Sequence, residues 1–221
     1  MSTAKSPIID DTSFVTAAVH INGKALDESI QIFSILINES INYPAKAEIS
    51  ILDGYDAINP FPAFNSASFE AGNQLSVFLG YGAATEPVFE GVILNGTLNS
   101  TNNGVLKITC ISTKPVVSVA AISNTPLSEI PFPLLKLTYG EDIIDFSLMK
   151  TKKAGAPVLD WLSGFIKFQG SAKATIHHLV EIKEFGKAIA TEAYIASVEH
   201  VVENGNWFTT IALGVPKAIV F

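Results

Sequence analysis

The sequence predicts a mainly β protein: two tandem small antiparallel β-barrels joined by a short linker, with little helix. Three observations carry that expectation. Apolar residues recur with a period near two rather than 3.6. Asn-Gly and Gly-containing turn signals punctuate the alternating runs. The order of strand and turn signals in the first half recurs in the second.

The elements follow in order. Phe14–Ile21 reads as a strand ending at Asn22-Gly23, a two-residue hairpin signal. Ser29–Asn38 is an isoleucine-rich second strand. Ala45–Leu52 sets Ala47, Ile49 and Ile51 against Lys46, Glu48 and Ser50, the pattern of a half-buried strand closed by Asp53-Gly54. Asp56–Ser68 contains Pro60 and Pro62 and reads as a surface loop. Leu75, Val77 and Leu79 alternate up to a turn at Gly80-Tyr81-Gly82, Val88–Leu98 is the next strand, and Asn102-Asn103-Gly104 the next turn. In Val105–Ser112, Leu106, Ile108 and Cys110 share a face opposite Lys107 and Thr109. Val116–Ile122 reads as one more strand. Ser123–Pro133, with Pro126, Pro131 and Pro133, is a linker.

Beyond it, Leu137–Met149 is extended with a turn at Tyr139–Asp142, and Lys150–Pro157 is a polar connection. Asp160–Gln169 fits a strand or a short helix, with Phe165–Phe168 favouring strand. Leu179–Phe185, Ala190–Val202 and Trp207–Gly214 are strands, the last two joined by an Asn204-Gly205 hairpin turn. The chain thus divides into a first barrel with an N-terminal arm at 1–122, a linker and extended connection at 123–157, and a second barrel at 158–221 that also takes strands from 134–150.

The repeat aligns Leu75–Gly82, Val88–Ile93 and Val105–Ser112 with Leu179–Gly186, Ala193–Val198 and Asn206–Gly214, at a spacing near 104 residues. A tandem pair has a physical use: three copies of a two-unit chain present six similar units around one axis.

Composition narrows the function. Of 221 residues 48% are hydrophobic and 16% charged, and all 14 basic residues are lysine, giving a net charge of -7. Without arginine or a basic excess, nucleic acid is not an expected partner. So low a charge implies that other subunits cover much of the surface. One cysteine forbids a disulfide framework. Residues 1–13 hold no apolar run, and the most apolar stretch, Val116–Ile122, is too short for a spanning helix. The expectation is synthesis in the cytoplasm, with no signal peptide and no membrane segment.

Chemistry-bearing residues are sparse. His177-His178 is the most metal-like feature, but neighbours on a strand face opposite ways, and His20 and His200 lack partners at ligand spacing. Cys110 reads as a buried thiol, and Asp10-Asp11 and Glu141-Asp142 as a solvated terminus and a turn. Lys150-Thr151-Lys152-Lys153 is a short basic run, and Trp161 and Trp207 are packed aromatics. No nucleophile elbow, phosphate loop or dinucleotide fingerprint occurs. The expectation is a protein that is not an enzyme, with no catalytic residues, no metal and no cofactor.

Four segments in order resemble a known family. Phe69–Tyr81, with Gly72, Gly80 and Tyr81 and followed by Gly82, then Val88–Ile93, with Phe89 and Gly91, is similar to the N-terminal barrel of the valine-glycine-repeat (VgrG, or Rhs-element Vgr) spike proteins. Phe165–Ala172, with Phe168, Gln169 and Gly170, and Ser197–Trp207, with Asn204, Gly205 and Trp207, resemble that family's second barrel. Those proteins resemble the tail hub of contractile-tailed phages. The resemblance implies a homotrimer at the base of a spike in a contractile injection system: type VI secretion, an extracellular injection particle or a phage tail. Its expected partners are a hexameric inner-tube protein, a spike or needle-tip protein and baseplate proteins, in a particle released or propelled from the cell. Two departures stand out: Thr113–Leu162 replaces a long insertion, and no needle follows the second barrel in these 221 residues. The reading from a different class is a β-sandwich ligand- or glycan-binding adhesin module.

Overall fold

A computed structural model describes residues 5–7, 14–54, 60–99, 104–118, 135–150, 162–176, 178–185 and 192–214. Seven strands occupy the first half: β1 Val15–Ile21, β2 Lys24–Ala25, β3 Ile32–Ser40, β4 Tyr43–Leu52, β5 Gln74–Tyr81, β6 Ala84–Asn99 and β7 Val105–Ser112. Six occupy the second: β8 Leu135–Thr138, β9 Ile143–Lys150, β10 Leu162–Gln169, β11 Leu179–Lys183, β12 Glu192–Glu203 and β13 Asn206–Leu213. Among the described residues the only helical element is a 3-10 turn at Ala67–Phe69.

Local chemistry explains the hairpins. Asn22-Gly23 and Asn204-Gly205 both place two successive residues at positive φ (50° and 78°, 50° and 75°), the conformation whose twist suits a two-residue hairpin. Ala47, Ile49 and Ile51 are fully buried, as their alternation predicts, and so are Ile108 and Cys110, with Leu106 at 1% exposure. On the outer face Lys107 reaches Glu48 at 2.5 Å, an exposed pair that contributes little to stability.

Several expected boundaries move for identifiable reasons. The Asp27 carboxylate accepts from the Ser29 amide (2.9 Å), and the Ile30 amide donates to the Asp27 carbonyl. That turn delays β3 to Ile32. Tyr81 pairs with Ala84, so the turn is Gly82-Ala83, while Gly80 and Tyr81 belong to β5. A side chain at Gly80 would overlap the Ala84 carbonyl, so the close approach of two backbones explains that glycine. Val116–Ser118 is not a strand: the Ser112 hydroxyl accepts from the Lys114 amide, Pro115 follows, and the Val117 carbonyl accepts from the Asn42 amide at 2.7 Å. The linker at 123–133, the connection at 151–157 and the remainder of the expected strand at 119–122 lie outside the described residues.

The described part of the expected loop, residues 60–68, is anchored rather than merely exposed. Asp53, 3% exposed, accepts from the amides of Ala63 (3.1 Å) and Phe64 (2.8 Å). Each bond to a charged acceptor contributes about 1.5–3 kcal/mol. Ala63 and Phe69 are thereby drawn into the first core.

The two halves share one pairing scheme. In the first, neighbours run β5-β6-β7-β4-β3; in the second, β11-β12-β13-β10-β9. Two irregularities match, while a slip near Glu39 in β3–β4 and one near Phe78 in β5–β6 have no counterpart. The β6–β7 register slips at Leu94 and the β12–β13 register at Ala196. The β3–β4 register slips at Phe33 and the β9–β10 register at Ile144. Matched bulges in matched strands mark a structural duplication. The flanking strands differ: β1 lies antiparallel to β5, whereas β8 lies parallel to β11.

The mainly β class is as expected, but the pairing path is open, from β2 at one end to β9 at the other. The halves are not two separately closed barrels among the described residues. The physical cause is β12, which outruns β11: Leu179, Val180 and Glu181 pair with Tyr194, Ala193 and Glu192. The remaining edge, Ser197–Glu203, pairs antiparallel with β3. One continuous sheet therefore covers two cores, one around Ile35, Ile49, Leu75 and Ile108, the other around Leu137, Ile166, Phe168 and Ile211. Ile41, Leu179, Tyr194 and Ala196 pack into a third small cluster beside the join.

Candidate functional site

The motif residues fall into two groups. Gly72, Phe89 and Gly91 serve the first half alone. Gly72, at φ 93°, donates its amide to the Ile93 carbonyl at 2.8 Å, Phe89 is 3% exposed, and a side chain at Gly91 would overlap the Ile111 carbonyl. Gly82, at φ 59°, and Asn204-Gly205 are turns.

The other group meets across the halves. The Tyr81 hydroxyl, at the end of β5, donates to the Gly170 carbonyl (3.1 Å). Its ring stacks on Trp207, centroids 5.5 Å apart and planes at 28°. The Gly170 amide donates to the Trp207 carbonyl at 2.9 Å. Any side chain on Gly170 would overlap the indole, so this glycine admits the ring. Burial raises the Tyr81 pKa, against the lowering effect of bonds with Gln169 and Gly170, so the hydroxyl keeps its proton. Phe168, two residues before Gly170, is fully buried in the second core.

Beneath the indole sits a buried polar chain. The Trp207 Nε1–H donates to His200 Nδ1 (3.3 Å), Thr209 Oγ1 lies 2.9 Å from the same nitrogen, and the Ser171 amide donates to Thr209 Oγ1 (3.0 Å). The indole donor on Nδ1 requires that nitrogen to be unprotonated, hence the neutral imidazole. Desolvation enforces the same state, pushing the His200 pKa down to about 4. Trp207, from the second half, packs in the first core. The arrangement is a weld between the two halves. A cleft of about 140 Å³ opens beside it, bordered by Ser6, Pro7, Tyr81, Glu86, Lys173 and Trp207.

The other sequence candidates are occupied structurally. His178 Nδ1 lies 3.0 Å from Thr175 Oγ1 and 3.3 Å from the Ile176 carbonyl, and the His20 ring packs on Phe78. His177, Asp10-Asp11, Trp161 and 151–153 of the basic run lie outside the described residues. Asp142 is buried and accepts from the Thr138 amide (2.6 Å) and the Ser6 hydroxyl, so it fastens the turn and the N-terminal arm. Burial pushes the Cys110 thiol up to about 12. Among the described residues no group of three His, Cys, Asp or Glu side chains is placed to hold a metal ion. No described helix is long and apolar enough to cross a membrane. The sequence reading missed the His200–Thr209–Ser171 chain. Its available signal was that His200 and Thr209 occupy inward positions of adjoining strands.

Residues 11–125, just over half of the chain, match the family model described as the Alg8 N-terminal domain. The chain belongs to the Alg8 N-terminal domain family. This Alg8 N-terminal domain chain is also similar to two solved tail proteins. The tail protein from Neisseria meningitidis MC58 aligns at 8% identity with a TM-score of 0.56, over 91% of this chain and 96% of that one. The 43 kDa tail protein of prophage MuSo2 from Shewanella oneidensis aligns at 10% identity with a TM-score of 0.53, over 92% and 99%. At such identities the likeness is one of fold, and the Alg8 N-terminal domain chain has a tail-protein fold over nearly its whole length. A sequence comparison with curated proteins finds no match.

Proposed function

We propose that this chain is a structural hub at the spike base of a contractile injection system, of the kind the VgrG spike proteins provide. It works as a homotrimer that fits a hexameric inner tube to a central spike, without catalysis and without a cofactor. The observation that carries the reading is the duplication. Two units with one pairing order and matched bulges turn three chains into six similar units. The tail-protein fold supports the same reading. So does the weld at Tyr81, Gly170 and Trp207, which keeps the two units in fixed relation under load.

Baseplate proteins and a spike or needle tip are the other partners, and the assembled particle leaves the producing cell or is propelled from it. Native mass spectrometry tests the reading directly. The expected species is three times the 23.6 kDa chain, and it captures the hexameric tube protein of its own system. A monomer that binds a glycan and no tube protein refutes it.

A further inference from the structure

The duplication specifies a contact that is unmade among the described residues of a single chain. Within the chain, β3 at the outer edge of the first half pairs with the overhanging end of β12. By the matched pairing order and bulges, β3 corresponds to β9 and β12 to β6. The counterpart of the β3–β12 pair is therefore a β9–β6 pair. Among the described residues β9 pairs with β10 alone, and β6 beyond Ile93 pairs with β7 alone. Among the described residues nothing pairs with either edge, and such an edge templates pairing with another chain.

We infer that β9 of one copy pairs antiparallel with the far end of β6 in a second copy, head to tail, so that one sheet runs from chain to chain. The register follows from the pair already formed. Val198↔Glu39, Glu199↔Asn38, His200↔Ile37 and Val201↔Leu36 have as counterparts Gly96↔Lys150, Thr97↔Met149, Leu98↔Leu148 and Asn99↔Ser147. A one-residue slip would turn the apolar positions of both strands outward.

Burial at equivalent positions identifies the occupant as a second copy. Ile35, on β3, is fully buried, while its counterpart Phe146, on β9, is 40% exposed. Ala196, on β12, is 7% exposed, while its counterpart Leu94, on β6, is 45% exposed. Leu98 and Leu148 are half-buried, where His200 and Ile37 are buried. The bulged residues Phe33 and Ile144 are each 56% exposed, so exposure there belongs to the bulge and not to a missing neighbour. A second chain offers each edge the same strand, with the same bulge, that its counterpart already has. Such a heterologous contact closes into a ring or extends into a filament. Closure at three copies rests on the hub reading; the strand pairing does not.

The test is disulfide trapping. Chains carrying Leu98→Cys are mixed with chains carrying Leu148→Cys and oxidised mildly. Residues opposite one another on paired strands have Cα atoms about 4.5–5.5 Å apart, within disulfide range. The expected result is a covalent dimer between the two variants and none from either alone. A chain carrying both substitutions should give a covalent series ending at three. Should the substitutions impair folding, hydrogen exchange on the unaltered protein reads the same contact: amides in 94–99 and 143–150 become protected as concentration rises. Trimers without the cross-link or this protection overturn the pairing and leave the hub reading in place. Cross-linked filaments sustain the pairing and overturn threefold closure. A monomer with neither signal overturns the pairing.

Discussion

Replacing His200 with glutamine isolates the weld's response to acid. The unfolded imidazole titrates near 6.5 and the folded one at about 4, because burial disfavours the charged form. A depressed folded pKa means the unfolded chain binds more protons within that window. The contribution is therefore complete above pH 6.5 and is lost as the pH falls toward 4. Linkage over these values removes about 2 kcal/mol between pH 7 and pH 5, and about 3 kcal/mol by pH 4. Glu39 acts in the opposite sense: burial raises its carboxyl, so its contribution grows on acidification. The informative quantity is thus the difference between wild type and His200→Gln, which does not titrate. Urea denaturation at pH 7, 6 and 5 measures it. The wild type should lose about 2 kcal/mol relative to the variant from pH 7 to pH 5. A gap that stays constant with pH refutes the claim that His200 is held neutral in the fold.

Two further outcomes follow from packing. Gly170→Ala places a methyl group into the Trp207 indole and should lower stability by about 1–3 kcal/mol in urea denaturation; an unchanged midpoint would mean that the ring has room to move. Cys110, fully buried with its thiol at about 12, should resist iodoacetamide at pH 8 in the native protein and react once urea unfolds it; rapid native labelling would contradict its placement.

Local elements were legible wherever local chemistry decides them. Asn22-Gly23 and Asn204-Gly205 encode their turns in two residues, and the alternation in Ala45–Leu52 and Val105–Ser112 names the buried face without any partner. The repeat was legible too, although its strands correspond at separations from about 102 to about 117 residues rather than one fixed value: Leu94 corresponds to Ala196, Gln74 to Leu179, Phe33 to Ile144 and Ile49 to Ile166. What sequence alone left hidden depends on distant partners. Gly80 looked like turn material, yet it is a strand glycine required by the facing Ala84 backbone. The β3–β12 pair has no local signature, since nothing in Ile32–Ser40 shows which strand lies on its second edge. Tyr81, Gly170 and Trp207 were each singled out, but their meeting is a product of topology.

The β3–β12 pair also orders events in time. Ser40 waits for Ser197, 157 residues later in the chain, before that edge is covered. On a ribosome the first half has all its other partners early, since β1, β4, β5, β6 and β7 complete the rest of its sheet. During the interval it presents an isoleucine-lined strand with unsatisfied amides, a state that is slow to resolve and prone to sticking to neighbouring nascent chains. Truncation anywhere before Glu192 would make that transient condition permanent. Expression of the first half by itself is therefore expected to yield aggregates, rescued by supplying the β12–β13 hairpin in trans.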